Sequence, residues 1–213
     1  MKEIAVTLSI CACLAVLGFV SCGDDSETAV DAGGVTGEQT ESYFALSGTK
    51  TYTGMQELES GSTPIEYQVA FSVDTKTFTN KRTIARTWST GGFQMLTEWF
   101  EAKGAELLFL RYKYNDAAGA EQDVSFSTPV LYGKNPWTDA DAALSTTVGS
   151  DTYEYSIVKE AVTVPAGTFD DALKVYAKEG GRSGAYYFVP EKGVVKYQIN
   201  KHPALGTIAI DLK

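Results

Sequence analysis

Ile65-Glu66-Tyr67-Gln68-Val69-Ala70-Phe71-Ser72-Val73-Asp74 decides the fold class. Ile65, Tyr67, Val69, Phe71 and Val73 alternate with mostly polar neighbours, the period-two pattern of a strand with one buried face. Asp74-Thr75-Lys76-Thr77 then turns the chain into a return strand that runs to Trp88. The same pattern continues outward. Residues 93–102 and 105–114 form a hairpin across Lys103-Gly104, and Asn115 to Gly119 turns into Val124, Phe126 and Thr128. Further strands are predicted over 152–164, 169–178, 184–189, 194–200 and 207–212, rich in β-branched and aromatic residues. Only Thr138 to Leu144 invites a helical turn. Roughly ten or eleven strands with short links predict an all-β protein: an antiparallel, strongly curved sheet closing to a barrel or half-barrel, with few or no helices.

The chain has 213 residues, 18 Lys+Arg, 27 Asp+Glu and a formal charge of −9. An acidic chain lacks the basic surface that a nucleic-acid backbone requires. The acidity is unevenly placed. Gly23 to Ser42 holds six acidic residues, no basic one and no aromatic, whereas the chain from Tyr43 onward is nearly balanced. Residues 22–42 therefore read as a disordered acidic tether and 43–213 as a single β domain. Twenty such residues span about 25 Å.

Ile4 to Val20 carries no charge, and Phe19-Val20-Ser21-Cys22 follows with a small residue just before a cysteine. This looks like a bacterial lipoprotein signal over residues 1–21. In such a signal the thiol of Cys22 is acylated and the cysteine becomes the first residue of the mature chain. The alternative is an uncleaved anchor helix. Each buried CH₂ of an acyl chain contributes about 0.8 kcal/mol, and stable anchoring takes two chains, which a diacylglyceryl thioether supplies. Removal of the signal takes Cys11 and Cys13 with it, so no disulfide is expected within the monomer. The expected location is the bacterial cell envelope, lipid-anchored at the outer membrane, with the membrane reached through Cys22.

Val162-Thr163-Val164-Pro165-Ala166-Gly167-Thr168-Phe169-Asp170 is the most distinctive run, followed by Tyr186-Tyr187-Phe188-Val189-Pro190-Glu191-Lys192-Gly193-Val194-Val195-Lys196. Together with Tyr43-Phe44-Ala45-Leu46 and Leu131 to Trp137, they resemble an uncharacterised family of bacterial envelope lipoproteins. Its relatives are similar to lipoprotein-carrier (LolA/LolB-like) half-barrels. The resemblance implies a curved β domain and brings no catalytic residues. The chain departs from it at Glu191, where Gly is usual, and at Ala45 and Tyr52, where Pro and Trp are. Read by themselves, Pro165 and Gly167 make one strand reversal and Pro190 to Gly193 another. Leu46 to Thr53 and Leu131 to Thr138 share Leu-x-Gly-x-x-x-aromatic-Thr, which would suit either a duplicated architecture or chance.

Catalytic chemistry has little to work with. His202 is the one histidine, and it precedes Pro203 near the C-terminus. Asp170 and Asp171 are adjacent and would point to opposite faces of a strand. Asp139 and Asp141 lack the rest of a calcium loop. No nucleotide, Rossmann or nucleophile-elbow motif is present. No catalytic residue, metal or cofactor is therefore expected.

One strand departs from the pattern. The face bearing Phe78, Ile84 and Trp88 also carries Arg82 and Arg86. An unpaired guanidinium on a dry face is costly. Three readings stand: the face is solvated, a bulge shifts the register, or Arg82, Arg86 and Trp88 line a ligand pocket. A pocket of that kind would suit a carboxylate or an anionic headgroup. Tyr112/Tyr114, Tyr153/Tyr155 and Tyr186/Phe188 would be its walls, or ordinary sheet packing. The expected function is a non-enzymatic envelope lipoprotein that binds a lipid or other apolar ligand. The alternatives are a protein-interaction module of an envelope assembly and a carboxylate-based hydrolase.

Overall fold

The computed structural model describes residues 34–58, 60–78, 81–116, 118–137, 143–148, 151–179, 182–202 and 204–213. The signal stretch, Cys22, Asp139, Asp141 and most of the tether lie outside the described residues.

Six strands follow a short helix α1 (Gly37–Tyr43): β1 (Gly48–Leu58), β2 (Gly61–Asp74), β3 (Thr83–Thr90), β4 (Phe93–Lys103), β5 (Glu106–Asn115) and β6 (Glu121–Lys134). Eight more complete the chain: β7 (Ala143–Val148), β8 (Asp151–Lys159), β9 (Val162–Val164), β10 (Gly167–Phe169), β11 (Leu173–Glu179), β12 (Arg182–Val189), β13 (Gly193–His202) and β14 (Gly206–Leu212). Twelve of them form one antiparallel sheet in the order β6-β5-β4-β3-β2-β1-β14-β13-β12-β11-β8-β7, and β9 with β10 makes a separate hairpin. The chain thus meanders around the sheet in sequence order, and its first and last strands pair. No pairing joins β6 to β7 among the described residues. The sheet curls far enough for β6 to face β12 across the interior. Tyr132 and Tyr186 stack with ring centroids 5.5 Å apart, and the Tyr186 hydroxyl donates to the Tyr132 carbonyl. The all-β, strongly curved antiparallel sheet expected from the sequence is the observed one.

The opening strand behaves as its alternation requires. Tyr67 and Val69 are buried, Ile65 and Phe71 pack against the same core, and Val73 emerges at the end of β2. The core continues through Tyr52, Trp88, Leu96, Phe100, Leu107, Phe109, Phe188, Tyr197, Ile208 and Ile210. The expected strand over 152–164 is broken after Lys159, and that over 169–178 is broken after Phe169. Asp170 and Asp171 therefore sit exposed in a turn rather than on a strand. The β9–β10 hairpin made by the Val-Pro-Ala-Gly run folds back on the outer face of the sheet. It buries Val162 and Val164 against Ala172, Tyr187 and Val195, and the Ala166 N–H donates to the Leu212 carbonyl. Ala143 and Leu144, read as part of a helical turn, belong to β7.

Residues 37–42 are not the featureless end of a tether. A capping box between Thr36 and Gln39 starts α1. The Thr40 hydroxyl then donates to the Gly104 carbonyl, and the Glu191 N–H donates to the Tyr43 carbonyl. The helix so bridges the β4–β5 and β12–β13 turns at one end of the sheet. Behind it, the Phe44 ring lies on Gly133, where a β-carbon would stand 2.3 Å from Cζ, and packs 4.8 Å from Phe188. Glu191 takes φ 63, in the left-handed region that favours Gly. Ala45 takes φ 49, which Pro cannot adopt. The repeated Leu-x-Gly motif does not mark equivalent places. Leu46 lies just before β1, whereas Leu131 lies inside β6. That counts against duplication.

Two tests of the fold follow from single residues. A β-carbon on Gly54 would stand 2.0 Å from the Ala209 carbonyl oxygen, at the junction of the first and last strands. Gly54→Ala should therefore cost about 2–3 kcal/mol, read by urea unfolding. Asp74 closes the β2–β3 turn: it accepts from the Thr77 hydroxyl, the N–H groups of Thr77 and Lys76, and Trp99 Nε1. These bonds, led by that of the Thr77 hydroxyl, hold its carboxyl well below the usual carboxylate range. Its ionised form contributes stability that is complete above its unfolded value, about 4, and lost as pH falls through the folded one. Asp74→Asn should destabilise at pH 7, and the gap to the parent should narrow steadily below pH about 4. A gap independent of pH would contradict the assignment.

Candidate functional site

On the arginine strand Arg86 stays on the inner face and is paired there, and a bulge does shift the register, but on the neighbouring strand β4. Gly91 and Gly92, at φ 55 and 82, make the two-residue turn between β3 and β4. Thr90 pairs with Phe93 and Ser89 with Gln94, but Trp88 then pairs with Leu96. Met95 is thus an extra residue, a β-bulge. Without it, Thr97 would stand opposite Arg86. With it, Glu98 does. The bulge also turns Leu96, Glu98 and Phe100 to the inner face and sends Trp99 out to Asp74 and Arg111.

Arg86 and Glu98 form a buried bidentate pair. Arg86 Nε donates to Glu98 Oε2 at 2.7 Å and Nη2 to Oε1 at 2.9 Å. Trp88 Nε1 donates to Oε2 at 2.7 Å, so the carboxylate holds three donors. Arg86 Nη1 donates to the hydroxyls of Tyr132 at 2.9 Å and Tyr197 at 3.3 Å. The guanidinium lies 4.8 Å from the Phe100 ring centroid and 5.2 Å from that of Tyr132. Burial opposes the charge, yet the Glu98 carboxylate keeps the Arg86 group firmly protonated. Around it, Trp88 packs edge-on against Tyr67 and Tyr197 and stacks with Tyr52. The Tyr52 hydroxyl donates to the Val194 carbonyl at 2.7 Å. Four strands, β3, β4, β6 and β13, meet at one ion pair.

Arg82 is elsewhere. It lies outside β3, and its half-exposed guanidinium makes a bidentate pair with Glu41 on α1. The structure therefore brings Arg86 and Trp88 together and keeps Arg82 apart. The expected walls divide likewise. Tyr112 and Tyr114 stack in parallel, and Tyr186 and Phe188 face the core, as sheet packing; the side chains of Tyr153 and Tyr155 lie outside the described ones. Lys50 points to the inner face near the helix end. Its ammonium donates to the Lys192 carbonyl at 2.7 Å and lies over Phe71. Burial, with the charge of Arg86 second, lowers its pKa to about 8. His202 closes β13, and its Nδ1 accepts from the N–H groups of Ala204 and Leu205, which makes it a turn residue. No group of three or more potential metal ligands occurs among the described residues.

A second feature lies on the surface. A groove of about 480 Å³ runs between Pro64, Ile65, Glu66 and Gln68 of β2 and Ser89, Thr90, Gly91 and Gly92 at the β3–β4 tip. β2 continues to Gly61 along β1, but its pairing with β3 ends at Gln68. Residues 61–67 have no β3 partner, and Pro64, Ile65 and Glu66 of this edge form one wall of the groove. The sequence signal for it was Pro64, a residue confined to edges and bulges in sheets.

Removing one partner of a buried pair leaves the other charge uncompensated. Arg86→Met should cost about 3–5 kcal/mol. In Arg86→Met/Glu98→Gln both charges are gone and an acceptor for Trp88 remains, so more than half of that loss should return. A double variant as unstable as the single one would show that the pair is not the interaction at stake. Comparison of the chain with protein-family models, with curated proteins and with solved structures finds no match to any of them.

Proposed function

We propose that this protein is a lipid-anchored lipoprotein of the bacterial envelope, acylated on Cys22, and that its β domain is a non-enzymatic interaction module. The anchor reading rests on the uncharged run from Ile4 to Val20 and the Ser21-Cys22 pair after it. The module reading rests chiefly on the occupied interior. Trp88, Tyr52, Tyr67, Phe100 and Phe109 are almost wholly buried in one core, and Arg86, aimed inward, is held by Glu98. An apolar ligand carried in that space would have to displace tightly packed rings and leave an ion pair to be rearranged, each at a cost of several kcal/mol. A partner that reads the surface meets neither obstacle. Carriage of a lipid in the interior is accordingly the weaker reading.

Strand directions favour the same arrangement. Successive strands alternate, so their turns gather at two ends. α1, which follows Cys22 in the sequence, lies at the end with the turns at 103–106 and 189–193. The turns at 58–61, 90–93 and 202–206 lie at the opposite end. An anchor on Cys22 would hold the first end toward the outer membrane and leave the second facing away.

Cys22→Ser tests the anchor. The parent should incorporate a fatty-acid probe and sediment with membranes. The variant should do neither. A parent without label, or a variant that stays with the membrane, would overturn the reading.

A further inference from the structure

We propose that the free edge of β2 at the end far from α1 is a strand-addition site for an extended, lysine- or arginine-bearing segment of a partner protein. The proposal names the working surface of the interaction module and rests on that reading of the domain.

The edge has the main-chain groups that such a contact needs. β1 and β2 pair without a break from Gly48↔Phe71 to Leu58↔Gly61. Along an antiparallel strand, alternate residues direct their N–H and C=O to one neighbour and the rest to the other. Pro64 stands opposite Met55 and has no N–H to give. It fits without loss only where that N–H would point away from β1. Ser62 and Glu66 share its parity, so their N–H groups, and the carbonyls of all three residues, turn away from β1. Gln68 continues the parity and is the first residue to meet β3, opposite Ser89. Two donors and three acceptors thus face outward along this edge, and those of Pro64 and Glu66 border the groove that ends at the Ser89–Gly92 tip. β3 ends at Thr90, which in this register would stand opposite Tyr67, so β2 runs on past the end of the β3–β4 hairpin. Pro64 also limits which strand can add, because it offers no donor at the centre of the edge.

The chemistry of the partner follows from the surroundings. Residues 54–68 hold Glu57, Glu59 and Glu66 and no basic residue. Glu57 and Glu66 are exposed. Glu66 pairs with Lys213 at 3.5 Å between half-exposed side chains, a contact that an incoming cation can replace. Phe93 at the tip of the opposite wall is 74% exposed, and Leu58 is exposed at the head of the arm. A strand with basic side chains on one face and apolar ones on the other matches both the charge and the apolar tips.

The test uses the full chain in detergent and residue-resolved hydrogen exchange. The probe is a capped heptapeptide alternating Lys and Val, compared with its Glu/Val counterpart and with a copy N-methylated at alternate amides. The Lys/Val peptide should slow exchange at the Ser62 and Glu66 amides by about tenfold or more. The Glu/Val and N-methylated peptides should bind at least about tenfold more weakly. Glu66→Pro removes an outward N–H that the fold does not use, and should abolish protection with little change in thermal stability. If that variant fails to fold, Glu66→Lys serves instead and should reverse the preference between the two peptides. No protection at these amides, equal protection by the acidic peptide, or protection that depends on protein concentration alone, as pairing of two copies would give, overturns the proposal. Protection that persists in a chain shown not to be acylated would overturn the anchor and leave the edge site standing.

Discussion

Arg86 and Glu98 stand opposite each other because Met95 is one residue too many for its hairpin. The rest of the interior depends on that constraint. A two-residue Gly91-Gly92 turn with no bulge would place Thr97 opposite Arg86 and turn Met95, Thr97 and Trp99 inward. The extra residue exchanges the faces of β4. A charge that would otherwise be stranded then acquires a bidentate partner, and the partner acquires Trp88 as a third donor. The pair is not confined to its hairpin. Through the Tyr132 and Tyr197 hydroxyls it reaches β6 near one free edge of the sheet and β13 on the other half. An ion pair of this kind adds little net stability over an apolar core of equal volume, because desolvation offsets attraction. Its effect is on geometry: it makes one register and one degree of curl far better than their neighbours.

The exterior follows from strand length. β3 ends at Thr90, whereas β1 and β2 run on together to Leu58 and Gly61. Among the described residues the interior is packed by its own side chains, and β2 keeps an open edge beyond the β3–β4 tip.

Much of the fold was legible because it is written in period two. The stretch 65–73 reads as a strand without help, and so do residues 105–114 and 207–212. The strands that escaped reading lack that contrast. β1 places Gly54 and Gln56 on its inner face beyond Tyr52, so no apolar alternation announces it. β7 follows an Ala-rich run that suits a helix as well as a strand. Residues 37–42 are too polar to suggest order, and it is the capping box and the contacts with Gly104 and Glu191 that supply it. For the interior site, the sequence showed the problem and not the solution. Arg86 on an apolar face was visible. Glu98 was hidden because Leu96, Trp99 and Phe100 make both faces of β4 apolar, and because a bulge cannot be counted from composition. Arg82, two strand periods from Arg86, looked equivalent and is instead tied to Glu41. The edge had one legible mark, Pro64, immediately before the stretch that announced the sheet.

The central claim is that the described part of the domain's interior is a packed core, which is what supports the proposal that the protein binds at its surface. Native mass spectrometry of the chain released gently from its own membranes tests this most directly. The account predicts the mass of the polypeptide with its covalent acyl groups and nothing more, reproducibly across preparations. A non-covalently held lipid or other apolar molecule, retained at stoichiometric level and lost only on unfolding, would contradict it.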